Sequence, residues 1–297
     1  MRRSVAARLA VATACLAVQG PRAGPAPLPR PGSAAQVRAA VAASVTVKRL
    51  TAAQAAHLSA AQADNASAYY RIPNACRTAT SCVYGDTSSP RVVVLYGDSH
   101  ARMWMSALMP SVVRDNLRLI VVGEDGCPVA HVSLPGVLAH CTPDRTSFEA
   151  LINAIRPRAI LLSDKTSFPG FTPKQWQAGM QAAIDALVPT AAKVTVIGDV
   201  QVMAKNPIPC LAAYPADVQR CATANPDRTF PGQEVAERAA AAATGASYVS
   251  PAPWMCTRTR CAPIIGKYFA YWDSYHVSNT YAAYLAGVMG GALGKLL

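Results

Sequence analysis

From residue 92 onward the chain alternates short apolar runs with longer amphipathic ones. Residues 92–96, 117–122, 159–162, 194–197 and 246–249 are mostly apolar runs of four to six residues, the first of them rich in β-branched side chains. Runs of that length and composition read as strands buried on both faces of a sheet. Residues 101–114, 144–155, 175–187, 233–243 and 278–296 instead space their apolar positions by three and four, which predicts helices. Thr172-Pro-Lys supplies an N-cap followed by proline at the first helical position. Regular strand–helix alternation predicts an α/β fold, a three-layer α/β/α sandwich around a central parallel sheet. In such folds sites gather at the carboxyl ends of the strands. Ser99, Gly126, Ser163 and Asp199 all fall at or just beyond those ends, and Asp273 and His276 follow the last.

Upstream the pattern changes. Residues 1–31 open on a basic Met-Arg-Arg-Ser, carry an apolar run of ten from Leu9 to Val18, and continue into small residues and proline. Ten residues cannot span a bilayer, so the segment reads as a secretory signal peptide or a short signal-anchor with a Pro-rich linker. Ala12-Thr-Ala-Cys15 is a poor lipoprotein box, with alanine three before the cysteine. Residues 32–73 are alanine-rich with scattered charge, a helical segment expected to pack loosely or to act as a stalk. Residues 74–297 hold the whole alternation and form the expected domain. No later run is long and uniform enough for a transmembrane helix, so a soluble or peripherally attached extracytoplasmic chain is expected.

The first strand ends in Tyr96-Gly-Asp-Ser-His100, and the following helix begins directly after. Glycine permits a tight turn there, and the first backbone N–H groups of a helix lack intrahelical partners. A serine in that turn can act as a nucleophile, with an oxyanion held by neighbouring N–H groups. Far downstream, Asp273 and His276 stand three apart ahead of the last helix. A tight turn would let that carboxylate fix the imidazole tautomer and free the other nitrogen as a base. Either element alone has an ordinary structural explanation, a Ser N-cap or a solvated loop; in combination and in this order they are more specific. Asp98 reads as a brace of the turn and His100 as a helix N1 residue near the pocket rim. His57, His131 and His140 have no partner at useful spacing and read as surface or loop residues. Asp199 with Gln201 reads as a strand-end turn or a substrate contact. Trp104 and Met105 read as core, and Trp254 and Trp272 as core or as the lining of an acceptor cleft.

Charge and cysteine usage narrow the class. The formal charge is +12, yet no Lys/Arg run of the nucleic-acid-binding kind is present, so no nucleic-acid partner is inferred. With Cys15 set aside, eight cysteines fall into four local couples: Cys76/Cys82, Cys127/Cys141, Cys210/Cys221 and Cys256/Cys261. Four short-loop disulfides formed in an oxidising compartment is the preferred reading. Zinc is the rival, but the C-x-x-C spacing usual in cysteine-rich sites is absent, and no metal is assigned.

Four stretches carry a resemblance to a known family: Cys82-Val-Tyr-Gly-Asp86, Val94-Leu-Tyr-Gly-Asp-Ser-His-Ala101, Asp125-Gly-Cys-Pro128 and Asp273-Ser-Tyr-His-Val-Ser278. The chain resembles the SGNH (GDSL-like) hydrolase superfamily over roughly residues 74 to 294. More narrowly it is similar to the SGNH domain associated with membrane acyltransferases that O-acylate bacterial envelope glycans. The resemblance implies an SGNH, flavodoxin-like sandwich with Ser99 as nucleophile, His276 as general base and Asp273 as its orienting carboxylate. It also implies backbone N–H groups of Ser99 and Gly126 as oxyanion donors and no cofactor. The superfamily's third block usually supplies an asparagine; here it reads Ala159-Ile-Leu-Leu-Ser-Asp-Lys-Thr-Ser167, leaving Ser163, Thr166 or a backbone N–H as substitutes. The implied activity is O-acyl transfer, acetyl above all, to an envelope glycan through an acyl-Ser99 intermediate, with a membrane acyltransferase as acyl-supplying partner. The alternatives are an extracytoplasmic carbohydrate or lipid esterase, and a non-catalytic glycan-binding or scaffold module.

Overall fold

A computed structural model describes residues 27–187, 193–224 and 232–294. The expected signal region lies almost wholly outside the described residues. Three helices come first: α1 (Ala34–Ser44), α2 (Ala52–Ala61) and α3 (Ala66–Tyr70). Short strands β1 (Ala75–Cys76) and β2 (Val83–Gly85) lead into β3 (Val92–Gly97), α4 (Ser99–Arg102) and α5 (Met105–Arg114). Then come β4 (Arg118–Glu124), α6 (Cys141–Ile155), β5 (Ala159–Ser163) and α7 (Pro173–Leu187). They are followed by β6 (Lys193–Ile197), α8 (Pro207–Ala213), β7 (Thr223–Ala224), α9 (Gln233–Thr244) and β8 (Ser247–Val249). The chain closes through α10 (Ala252–Met255), β9 (Arg260–Cys261), β10 (Ile264–Ile265) and β11 (Tyr268–Phe269). Helices α11 (Asn279–Tyr284) and α12 (Ala286–Leu293) end it.

The main sheet runs β1-β4-β3-β5-β6-β8, with β2 also on β4. Strands β4, β3, β5, β6 and β8 are mutually parallel, while β1 and β2 pair antiparallel with β4. In chain order the parallel strands lie second, first, third, fourth, fifth, the flavodoxin-like order, whose crevice opens where the connections from the first strand diverge. That crevice stands above the carboxyl ends of β3 and β5. Alternation divides the strand residues between two cores. Val93, Leu95 and Leu161 meet Val37, Val41, Leu108, Tyr281 and Met289. Val94, Tyr96, Ile160 and Leu162 meet Phe148, Ile152, Trp176, Met180 and Ala240. All four expected disulfides are present, joining Cys76–Cys82, Cys127–Cys141, Cys210–Cys221 and Cys256–Cys261.

Two expected helices are broken. The 101–114 helix divides at Met103 and Trp104, where Trp104 N–H reaches back only three residues to Ala101 O (3.2 Å). Met103 thereby turns toward the histidine loop, and its sulfur accepts the Val277 N–H at 3.5 Å. The 278–296 helix divides at Leu285 because Gly32 N–H takes the Tyr284 carbonyl at 2.8 Å. Gly287 makes room for that approach, since a Cβ there would lie 2.4 Å from Gly32 O.

The alanine-rich segment is not a loose stalk. Helices α1 and α2 each start with a capping box, from Ser33 and Thr51. Val37 (0 % exposed) and Val41 are buried in the first core against the carboxy-terminal helices. Gln219 Nε2 donates to Ser44 O and Val47 O (2.9 and 2.8 Å), and Asp64 caps α11 by accepting the Asn279 and Thr280 N–H groups. Alanine content gives helices with narrow apolar stripes, and two valines suffice to anchor the first. Among the described residues, no helix is long and apolar enough to cross a membrane. Val37→Asp places an unpaired charge in that core and is expected to cost about 3 kcal/mol or more. Thermal unfolding checks it: a stalk residue would leave the melting temperature unchanged.

Candidate active site

Strand β3 ends where three backbones converge. A Cβ on Gly97 would sit 1.9 Å from Ser163 O, and one on Gly123 would sit 2.1 Å from Gly97 O. Only glycines allow the ends of β3, β4 and β5 to close so tightly. Asp98, wholly buried, then caps α4 by accepting the His100 N–H at 2.8 Å. The same carboxylate accepts the Lys165 N–H at 3.1 Å, tying the turn to the loop after β5. Asp98 is therefore the brace that the sequence suggests, and Ser99 is the first residue of α4.

The 271–277 segment brings the histidine to it. Tyr271 and Val277 form an antiparallel bridge, and Trp272 N–H donates to His276 O at 3.2 Å. Inside this turn Asp273 Oδ1 accepts the N–H groups of Tyr275 (2.9 Å) and His276 (2.7 Å). Asp273 Oδ2 lies 2.7 Å from His276 Nδ1, and His276 Nε2 lies 2.8 Å from Ser99 Oγ. An acceptor at Nδ1 selects the tautomer with its proton there, leaving the Nε2 lone pair for the serine hydroxyl. Burial pushes the Asp273 carboxyl up, but its bonds to His276 and to two backbone N–H groups prevail and hold it below the ordinary range. Trp272 stacks on the His276 ring at 5.2 Å and 12°, fixing the imidazole plane. Trp254 packs against the first core and accepts the Tyr281 hydroxyl at its carbonyl.

Further polar residues hold this arrangement from below. His100 is not at a rim: it is 0 % exposed, with Nδ1 2.5 Å from Asp199 Oδ1. Its ring centroid lies 4.7 Å from that of His276 and 6.1 Å from that of Tyr275. Burial opposes a charge on His100, but the Asp199 carboxylate outweighs burial and raises its pKa. Arg102, 1 % exposed, donates to Asp125 Oδ1 (2.5 Å) and Gly123 O (2.9 Å). It thus clamps the loop after β4, which carries Gly126 at φ +79°. The Cys127–Cys141 disulfide fixes the next residue of that loop. Ser163 ends β5 with its hydroxyl unpaired among the described residues, and Thr166 lies in the loop beyond it. Ser163 is 1 % exposed, and the Thr166 N–H and hydroxyl both go to Asp199 Oδ2 (2.8 and 3.2 Å). Backbone N–H groups of Ser99 and Gly126 remain at the strand ends.

The other histidines fall elsewhere. His131 Nε2 pairs with Glu149 at 2.6 Å, a partner eighteen residues away that sequence spacing does not show. His140 lies near Cys127, Cys141, Glu124 and Asp144, a set with metal-ligand chemistry. Its two cysteines are joined as a disulfide, and Arg77 forms ion pairs with both Glu124 and Asp144. His57 is exposed.

Asp164 follows the end of β5, is fully buried, and accepts the Val129 and Ala130 N–H groups through Oδ2 (2.7 and 3.2 Å). Burial, with the Asp98 charge, pushes its carboxyl well above the ordinary 3.8, outweighing those bonds. The folded state therefore holds a proton that the unfolded chain releases above pH 3.8, and stability falls as pH rises from there. Burial also raises Asp98 and Glu237, so the contributions share one sign. The melting temperature is expected to decline as pH rises above the ordinary carboxylate value of 3.8, and Asp164→Asn to flatten that slope. An unchanged slope in the variant contradicts the assignment.

The family model described as SGNH domain (fused to AT3 domains) matches residues 64–290. Among solved structures, the periplasmic domain of a lipopolysaccharide acetyltransferase from Salmonella ser. Paratyphi A superposes with a TM-score of 0.59 at 13 % identity. That match covers 77 % of this chain and 95 % of that one. A mutant of the acetyl-xylooligosaccharide esterase Axe2 from Geobacillus Stearmophilus gives a TM-score of 0.41 at 12 % identity, covering 70 % and 96 %. No curated protein matches the chain.

Proposed function

Because the chain belongs to the SGNH domain family of proteins fused to AT3 domains, we propose that it is a serine-dependent acyl-transfer enzyme. One observation carries the reading: Ser99 Oγ, His276 Nε2, His276 Nδ1 and Asp273 Oδ2 form an unbroken chain of 2.8 and 2.7 Å contacts. The hydroxyl proton of Ser99 passes to His276 Nε2 as Oγ bonds to the acyl carbon of an ester donor. Asp273 stabilises the imidazolium without taking its proton. The oxyanion of the tetrahedral intermediate is held by the Ser99 and Gly126 N–H groups. Its collapse breaks the bond to the leaving alcohol, which takes the proton from His276. In the second half an acceptor hydroxyl gives its proton to His276, attacks the acyl-Ser99 carbonyl, and Ser99 leaves reprotonated.

A sugar hydroxyl of an envelope glycan is the proposed acceptor, acetyl the proposed acyl group, and a membrane acyltransferase the proposed supplier. The four disulfides and the likeness to a periplasmic domain support an extracytoplasmic setting. Discharge to water by the same residues would make the protein an esterase. The absence of a third-block asparagine argues for reduced oxyanion stabilisation, since one donor is worth about 10²–10³ in rate. That loss slows the chemistry without abolishing it, and a binding module would not need the aligned triad.

Incubating the oxidised protein with p-nitrophenyl acetate is expected to give turnover or an acetyl adduct in the intact mass. Ser99→Ala should lose both, and Asp273→Asn should slow turnover by about 10⁴. Equal reaction of wild type and Ser99→Ala would overturn the reading.

A further inference from the structure

A cleft of about 340 Å³ is lined by the loops that follow β5 and β6 and by the start of α9. That volume is at the small end for ligand cavities, suited to a single ring rather than an extended chain. Two of its wall residues are buried polar groups without a hydrogen-bond partner among the described residues. Ser167 is 8 % exposed with Oγ unpaired, and Glu237 is 0 % exposed with both carboxyl oxygens unpaired. Trp176 Nε1 faces the Glu237 carboxyl as a nearby donor but falls outside good hydrogen-bond geometry. Buried polar groups left unpaired are costly and rare in a core, so a pair of them lining one cleft points to a ligand that satisfies them.

The lining specifies the ligand's chemistry. Among the described residues no Lys, Arg or His lines the cleft, whereas Asp199, Glu234 and Glu237 do. An anionic ligand would face carboxylates with no counter-charge. Burial, with the charges of Asp199 and Asp164, pushes the Glu237 carboxyl well above its ordinary value. A neutral carboxyl offers one O–H donor and one acceptor, and Ser167 offers the same pair. Val200, Val202 and Ala252 supply apolar wall between these groups. Alternating donors and acceptors with apolar wall complement a ring that bears hydroxyls and presents C–H faces.

We propose that this cleft binds a neutral sugar unit through Ser167 and Glu237, as the acceptor subsite of the reaction proposed above, on which it rests. Asp199 connects it to the chemistry, because the residue that lines the cleft also holds His100, the neighbour of Ser99. One carboxylate is thus shared between the cleft and the buried histidine beside Ser99.

The test uses the full oxidised chain carrying Ser99→Ala, so that binding is read without turnover. Saturation-transfer NMR is run with a panel of methyl glycosides of glucose, galactose, mannose, rhamnose and N-acetylglucosamine, with glucuronate as the anionic control. At least one neutral glycoside is expected to bind saturably and glucuronate not to bind. Adding Ser167→Ala or Glu237→Leu is expected to weaken that binding at least tenfold. If Glu237→Leu fails to fold by circular dichroism, Ser167→Ala decides. In the Ser99 protein the same glycoside should accelerate p-nitrophenyl acetate turnover, and Ser167→Ala should raise its half-saturating concentration. No binding by any neutral glycoside, binding unchanged by the substitutions, or glucuronate binding as well as the neutral sugars would overturn the proposal. Sugar binding without any acetate turnover would retain the subsite and remove the acyl-transfer reading; turnover without sugar binding would do the reverse.

Discussion

Everything at this site depends on how closely three strand ends approach one another. Gly97 and Gly123 leave no room for side chains between β3, β4 and β5, so the loops that follow emerge from nearly one point. From β3 come Asp98 and Ser99, from β4 Asp125 and Gly126, and from β5 Lys165 and Thr166. The loops must then be held apart in register, and buried charges do this. Asp98 takes the N–H groups of His100 and Lys165, Arg102 spans Gly123 O and Asp125, and Asp199 receives Thr166. An approach of backbones too tight for side chains, locked by charge-assisted hydrogen bonds, gives the serine a fixed position.

Two histidine–carboxylate pairs stand back to back on that frame. Asp273–His276 meets Ser99, while in the second pair His100 is wholly buried and Asp199 holds it from the loop after β6. The buried carboxyls that brace the loops carry an energetic cost, since Asp98 and Asp164 are both pushed upward by burial. Stability is given up here for a site whose groups do not reorganise during reaction, a common trade at catalytic centres.

Much of this was legible in the sequence. The short apolar runs located the parallel strands to within one or two residues, because strands buried on both faces need continuous apolar side chains. Gly97 marked the turn, Asp273 and His276 marked a local pair, and four short cysteine spacings gave the four disulfides. What stayed hidden depends on contacts distant in sequence. His100 meets Asp199 across ninety-nine residues, and nothing near either residue announces the other. Arg102 lies in an apolar stretch, where its charge signals a buried partner without identifying Asp125. The alanine-rich start carried too weak an apolar stripe to reveal that Val37 and Val41 complete the first core. The break at Tyr284 arises from a hydrogen bond to Gly32, which helix periodicity cannot show.

The central claim is that Ser99, the Asp273–His276 pair and two backbone N–H groups form one preorganised acyl-transfer site. A crystal structure of the protein after reaction with a small alkyl fluorophosphonate tests it most directly, because the adduct imitates the tetrahedral intermediate. The account predicts a phosphorus–oxygen bond to Ser99 Oγ, with the phosphonyl oxygen accepting from the N–H groups of Ser99 and Gly126. A protein that stays unlabelled, or an adduct whose phosphonyl oxygen points away from both N–H groups, would contradict it.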